Sequence, residues 1–204
     1  MSQERAREAA AALEDAREDL VTAGMLVFAE VGVEDATTDR VCHRAGRSPG
    51  EFARLFADRD AVLAEVMDRA VRAFLAAVVG DGGDIVRSCE VFVECLSAGG
   101  VYPAASGGAP HLHAVLAACA RSERFRGRYV VLLEECRGAL EGLLRTAQAQ
   151  GRVRADTDPA ALARLLLAGT MGLQMMVETG SGVDVRSLVA AAARLFQGPP
   201  GDNA

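Results

Sequence analysis

The side chains that could take part in chemistry are few in kind: three histidines, five cysteines and 22 basic residues, every one of which is arginine. Because the chain contains no lysine, chemistry that needs a lysine amine is excluded. His111 and His113 are two residues apart, which places them about 200° apart around a helix axis, so they do not chelate a metal ion from one helical face. No nucleophile–base pair, metal triad or dinucleotide fingerprint is recognisable. The sequence therefore predicts a protein that is not an enzyme, has no catalytic residue, and holds neither a metal nor a cofactor.

The cysteines are odd in number, lack paired spacing, and each lies in an apolar helical stretch: Cys42, Cys89, Cys95, Cys119 and Cys136. This pattern predicts reduced, buried thiols. A redox switch among the last four is the alternative, although only scattered arginines lie near them in sequence to lower a thiol pKa. There is no apolar signal segment, and no apolar run is long enough to cross a bilayer. With a net charge of −6, we expect a soluble cytoplasmic protein with no membrane partner.

Alanine and leucine are abundant, proline is scarce, and alternating β-branched runs are almost absent, which predicts an all-α fold. Cap signals and glycine-rich breaks predict long helices over 2–31, 58–79, 85–98, 110–120, 123–150, 159–178 and 185–197. We place a small three-helix head at residues 1–57, a larger helical body at 58–198 and a frayed tail at 199–204.

The stretch AGRSPGEFARLF has the pattern of a corner between two short helices. Thr37 is suited to cap a helix that starts at the next residue, and Gly46 can take the left-handed conformation that ends it. Ser48 is then the N-cap of a second helix, with Pro49 in its first position and Glu51 completing a capping box. Two short helices joined by a glycine-containing turn are typical of a helix-turn-helix.

The span from Arg17 to Leu63 resembles the TetR family of bacterial transcriptional regulators. The resemblance rests on FAEVG at the end of the first helix, the helix start at Thr37, the pair Val41–Cys42, the AG and SPG of the corner, and Phe56 shortly before DRDAVL. In the body, GRVRADTDP and the long helix after it are similar to the family's approach to its dimerising helices. The resemblance implies a homodimer that binds duplex DNA through its heads. It also implies an effector molecule in the body that changes the separation of the heads.

In a helix-turn-helix the second helix enters the major groove, and its first residues meet the base edges. Residues 36–59 contain five arginines and three acids, a local positive excess that suits phosphate binding. Arg47 is the predicted base contact because a guanidinium pairs bidentately with guanine, and Arg59 stands where the family has a phosphate-binding lysine. The predicted DNA-binding residues are Thr37, Thr38, Arg47, Ser48, Pro49, Gly50, Glu51, Ala53, Arg54 and Arg59.

Two further sets of residues are predicted in the body. An apolar pocket for an apolar or amphipathic small molecule is assigned to Phe92, Cys95, His113, Leu116, Tyr129, Leu133, Met171 and Met175. A dimer interface, formed as a four-helix bundle from the last two long helices of each subunit, is assigned to Gly169, Gly172, Leu188, Ala192 and Leu195.

Together these features predict a ligand-responsive, sequence-specific DNA-binding regulator, a repressor by default, that acts as a homodimer on a palindromic operator. The alternative is a dimeric small-molecule sensor on the same fold with weakened or lost DNA binding. It is motivated by Ala53, which stands where the family usually has an aromatic residue, and by the negative charge of Glu51.

Overall fold

The residues that the computed structural model describes, 2–80, 84–98 and 110–196, form nine α-helices and no β-strand. In chain order the helices are α1 (Ser2–Asp35), α2 (Thr38–Ala45), α3 (Pro49–Leu55), α4 (Arg59–Val79), α5 (Ile85–Ser97), α6 (Leu112–Arg121), α7 (Glu123–Ala149), α8 (Pro159–Glu178) and α9 (Val185–Phe196). The predicted all-α class is confirmed. The predicted break at 80–83, except Gly80, and the predicted break at 99–108 and tail at 199–204 lie outside the described residues.

The predicted end of α1 at Val31 is corrected by one helical turn. Gly32 does leave the helical conformation, with φ 77° and ψ 168°, but the helix resumes and reaches Asp35. Glycine adopts a positive φ without the steric penalty that a side chain imposes. Val33, directly after this kink, is only 1% exposed, so burial of its side chain favours the additional turn.

The first of two compact units spans Met1–Ala70 and Ala105–Tyr129. Its core is formed by side chains from five helices, namely Leu20, Val21 and Phe28 of α1, Val41 of α2, Phe52 of α3, Leu63 and Val66 of α4, and Val115 of α6. Gly24 allows α4 to approach α1 closely, because a Cβ at this position would lie 2.6 Å from Cγ1 of Val62. Val41, Phe52 and Phe56 are buried, with 1%, 4% and 4% of their surface exposed.

The second unit spans Val71–Ala104 and Val130–Ala204 and contains two apolar clusters. One is formed by α7, α8 and the segment between them, with Leu144, Ala147, Val153, Leu162 and Ala163 buried. The other joins α5 and α9 through Val93, Leu96 and Val185. α4 and α7 each belong partly to both units. The boundary between the compact units therefore does not coincide with the predicted domain boundary at residue 57. The assignment of DNA binding to 1–57 and ligand binding to 58–198 stays a prediction.

Candidate nucleic-acid interface

The corner between α2 and α3 is held by two helix caps. The hydroxyl of Thr37 accepts a hydrogen bond from the backbone N–H of Arg40 at 3.2 Å, and Gly46 ends α2 in the left-handed conformation with φ 64°. Ser48 Oγ accepts from the N–H of Glu51 at 3.2 Å, and the Glu51 side chain accepts from the N–H of Ser48 at 2.8 Å. The predicted caps and capping box are confirmed. They fix the angle at which the chain enters α3.

The carboxylate of Glu51 is used within this corner. Its Oε2 accepts from both the backbone N–H and the hydroxyl of Ser48, at 2.8 and 2.7 Å, and its Oε1 lies 3.4 Å from Nη1 of Arg47. The bonds from Ser48 first, and Arg47 after them, lower the pKa of Glu51. A charged carboxylate that already accepts these bonds serves the cap.

Arg47, the predicted base contact, extends toward α1. Its Nε and Nη2 donate to Oδ2 of Asp19 at 3.0 and 2.5 Å, and its Nη1 lies 3.4 Å from Glu51. The hydrogen bonds to Asp19 are the main reason that the pKa of Arg47 is raised. All three guanidinium nitrogens therefore face carboxylates. Sequence reasoning missed Asp19, because it lies 28 residues before Arg47 and no local pattern connects the two.

Two more of the five arginines contact other parts of the protein. Nη1 of Arg44 donates to both carboxylate oxygens of Glu30, at 2.7 and 2.6 Å. Nη1 of Arg59 donates to the backbone carbonyls of Glu34 at 2.9 Å and Ala36 at 3.2 Å. Arg59 thus binds carbonyls at the C-terminal end of α1, where orphan acceptors need partners. A phosphate contact by Arg59 stays a prediction.

The outer face of α3 carries one arginine, Arg54, that makes no ion pair with any described residue. Arg54 is exposed, and so are Ser48, Pro49, Gly50 and Ala53 on the same short helix and its cap. Among the threonines predicted to touch DNA, Thr37 is exposed and Thr38 is half-buried. This face therefore presents one guanidinium that makes no ion pair with a described residue, surrounded by small side chains.

The eight residues predicted to line a ligand pocket are distributed between the two compact units. Those of the first unit are His113, Leu116 and Tyr129, and those of the second are Phe92, Cys95, Leu133, Met171 and Met175. Tyr129 is buried and stacks on Phe125 with ring centroids 6.3 Å apart. Phe92 packs edge-on against Phe74 at 6.4 Å, beside the cluster of α5 and α9. The ligand pocket stays a prediction.

A cavity of about 350 Å³ lies within the first unit and contains none of those eight residues. It is lined by Arg17, Leu55, Phe56, Ala57, Asp58, Asp60, Ala61, Ala64, Glu65, Ser122, Arg124, Phe125 and Arg128. Arg17 pairs with Glu65 and lies 5.1 Å above the ring of Phe56. Three arginines and three acids give this lining no net charge, so it favours neither anions nor cations.

Four positions of α8 and three of α9 form two exposed rows of apolar and small residues, one on each helix, which together we call the outer stripe. It consists of Leu165, Gly169, Gly172 and Met176 on α8 and Leu188, Ala191 and Leu195 on α9. Their spacing of three and four residues places each row on one helix face. Leu165 is 59% exposed and Leu195 71%. Of the five predicted interface residues four belong to the stripe, and the fifth, Ala192, is half-buried beside it.

α8 is, within the described ranges, the one helix that is long and apolar enough to cross a membrane, with a mean hydropathy of 1.5. A single helix of this kind is a weak indication, because a core helix of a soluble protein passes the same test.

The prediction of buried thiols is confirmed for Cys42, Cys119 and Cys136 and is wrong for Cys89 and Cys95, which are half-buried. Burial is the largest cause of a raised pKa at all five thiols, and the pKa of Cys136 rises to about 11. Thiols that stay protonated at neutral pH are weak nucleophiles.

The rings of His111 and His113 stack with their centroids 5.4 Å apart, which differs from the predicted placement on opposite sides of a helix. The reason is that His111 is the N-cap of α6, with an extended ψ of 144°, so the helical period does not apply to it.

A family model described as tetracyclin repressor-like, C-terminal domain, matches residues 86–192. Among solved structures, a regulatory protein TetR from Rhodobacter sphaeroides aligns with a TM-score of 0.65 at 21% identity, over 89% of this chain and 98% of that one. The reduced form of NemR from E. coli aligns with a TM-score of 0.71 at 16% identity, over 91% and 100%. SmeT of Stenotrophomonas maltophilia in complex with triclosan aligns with a TM-score of 0.65 at 20% identity, over 91% and 93%. No curated protein matches the chain.

Proposed function

The chain belongs to the TetR family of transcriptional regulators, and we propose that it is a sequence-specific DNA-binding repressor that acts as a homodimer on a palindromic operator and responds to a small molecule. The observation that carries this proposal is the capped helix-turn-helix, whose second helix presents an exposed outer face. A helix held in this way can enter the major groove with its first residues toward the base edges.

The outer stripe supports the homodimer. The exposed leucines and small residues of each row gain free energy when they are covered, at about 25 cal/mol per Å² of apolar surface. Gly169 and Gly172 have no heavy atom within 4 Å of an added Cβ, so nothing in the subunit itself requires glycine there. The absence of a Cβ at these two positions would allow a second subunit to approach α8 closely. In a dimer with two heads, the two half-sites lie about one helical turn of DNA apart or slightly more.

The small-molecule response follows from the family match over the body. A solved structure contains SmeT in complex with triclosan, and for this chain we propose an apolar or amphipathic effector. An effector that fits one separation of the two heads better than another shifts the dimer between them. With a typical coupling free energy of roughly 1–3 kcal/mol, operator affinity changes about 5- to 150-fold. Repression then results from occlusion of a promoter.

The experiment that tests the proposal is selection of random duplex DNA by the purified full-length protein at low salt, followed by sequencing. We expect enrichment of a palindrome, and we expect that raising the salt concentration weakens its binding. A folded dimer that enriches no sequence contradicts the regulator proposal. That outcome favours the sensor without DNA binding, for which the internal pairing of Arg44 and Arg47 is the structural argument.

A further inference from the structure

Asp19 of α1 binds Arg47, the arginine that the sequence predicts as a base contact. Nε and Nη2 of Arg47 both donate to Oδ2 of Asp19, at 3.0 and 2.5 Å. The Arg47 side chain is 27% exposed and that of Asp19 48%, so solvent and other anions can reach the pair. Ion pairs with this exposure contribute little to stability and are readily replaced.

Asp19 has no second role in the described part of the chain. Its carboxylate accepts hydrogen bonds only from Arg47 there, whereas Glu51 also accepts two from Ser48. Removal of the Glu51 carboxylate would therefore disturb the cap of α3. Removal of the Asp19 carboxylate would release Arg47 and leave the cap intact.

DNA offers Arg47 the same kind of acceptor that Asp19 now provides. A guanine presents O6 and N7, and a phosphate presents two oxygens, to two N–H groups on one edge of a guanidinium. In the free protein Asp19 occupies the edge formed by Nε and Nη2. We propose that Asp19 is an affinity-setting residue, whose carboxylate competes with DNA for Arg47 and keeps the DNA affinity of the head low. This inference rests on the proposed function, because DNA is the competing partner.

A different role for the same contact predicts the opposite result. If the bridge between Arg47 and Asp19 serves to orient the corner for DNA, loss of Asp19 weakens DNA binding. If Asp19 competes with DNA, its loss strengthens binding, and only while Arg47 is present. The sign of the change and its dependence on Arg47 separate the two roles.

The test is a thermodynamic cycle of Asp19→Asn, Arg47→Ala and the double variant, with Asp15→Asn as the charge control. Asp15 lies one turn before Asp19, is exposed, and makes no ion pair with a described residue. Dissociation constants are measured by fluorescence anisotropy, at one fixed salt concentration, for the selected duplex and for a random-sequence duplex of equal length. We expect Asp19→Asn to tighten binding about fivefold per head. Asp15→Asn should tighten it by less than about twofold, because its charge is screened.

In the Arg47→Ala background, Asp19→Asn should act no more strongly than Asp15→Asn. Two results overturn the inference. One is that Asp19→Asn still tightens DNA binding in the Arg47→Ala background, and the other is that Asp19→Asn alone binds DNA no more tightly than Asp15→Asn. If the wild type selects a sequence and Asp19→Asn leaves its affinity unchanged, only the role of Asp19 fails. If neither protein selects any sequence while circular dichroism shows both to be folded, the proposed function fails as well.

Discussion

The corner between α2 and α3 and the outer stripe of α8 and α9 both face away from the core of their own unit, but they are built in opposite ways. At the corner, polar side chains bind one another: Ser48 with Glu51, and Arg47 with Asp19. On the stripe, Leu165 and Leu195 lie open to solvent with no polar group to bind. A surface with satisfied polar groups is stable in water and binds by exchanging partners. An apolar stripe gains free energy only when something covers it.

The two surfaces therefore differ in what a binding partner must do. At the corner, a partner that binds Arg47 has to replace its ion pair with Asp19. The net gain in binding free energy is therefore small, and single charges can adjust the affinity. On the stripe a partner displaces only water, so the gain grows with the covered area. We expect DNA binding to be the weaker and more adjustable function and subunit association the stronger one.

The largest effect is expected when the stripe is made charged. Leu188→Glu or Leu195→Glu should weaken homodimer formation by roughly 100- to 10,000-fold, because each dimer loses the burial of two leucines, at about 1.5–3 kcal/mol each. Sedimentation equilibrium measures the change. Val86→Glu is the matched control, since Val86 is 55% exposed and lies on α5, which contributes no residue to the stripe. If Val86→Glu weakens homodimer formation equally, or if the wild type is monomeric at micromolar concentration, the outer stripe is not the stronger binding surface that the comparison predicts.

The second effect compares a helical glycine inside a core with one on the stripe. Gly24→Ala should lower the free energy of unfolding by about 1–2 kcal/mol, because its Cβ meets Val62 at 2.6 Å and overpacking outweighs the gain in helix propensity. Gly172→Ala meets no heavy atom within 4 Å and should raise that free energy by up to about 1 kcal/mol. Urea denaturation in the Leu188→Glu background measures both without a contribution from dimerisation. A Gly24→Ala change that raises the free energy of unfolding would contradict the packing seen at Gly24, and a Gly172→Ala change that lowers it would contradict the open space at Gly172.

The contrast between the two surfaces also explains which features the sequence predicted. Thr37, Gly46 and Ser48 act on residues three or four positions away, and these caps are confirmed. The contact of Arg47 with Asp19 spans 28 residues and depends on how α1 packs on the corner. A local pattern contains no information about such a contact. The predicted base contact was therefore chosen from residue type alone, without its partner.

The candidate sites in the body show the same limit. α8 and α9 were predicted from caps and periodicity, and four of the five residues assigned to the interface are exposed on them, although the interface itself stays a prediction. The pocket set was predicted from apolar residue types on several helices, and these residues belong to two units. Which of them share a cavity depends on tertiary packing between distant segments. The sequence shows which helix faces are apolar, but it does not show which other helices those faces contact.

The smallest effect concerns the corner at acid pH. Hydrogen bonds from Ser48, and after them Arg47, lower the pKa of Glu51 in the folded protein. A lowered folded-state pKa means that the charged carboxylate stabilises the fold above the unfolded pKa of about 4.3. That contribution is lost as the pH falls through the folded-state value. Stability gained from Glu51 should therefore be constant between pH 7 and about pH 5 and should decline below it.

Glu51→Gln isolates this contribution, because glutamine can still accept the hydrogen bond from the Ser48 N–H but does not titrate. We expect the wild type to be the more stable protein at pH 7 and the difference in unfolding free energy to shrink toward pH 3. Other acids with lowered pKa values, such as Glu18 and Asp184, are common to both proteins and cancel in the difference. A difference that does not change with pH would mean that the Glu51 charge takes no part in the cap. The corner would then be held by neutral hydrogen bonds alone, and Arg47 would depend on Asp19 even more than its contacts indicate.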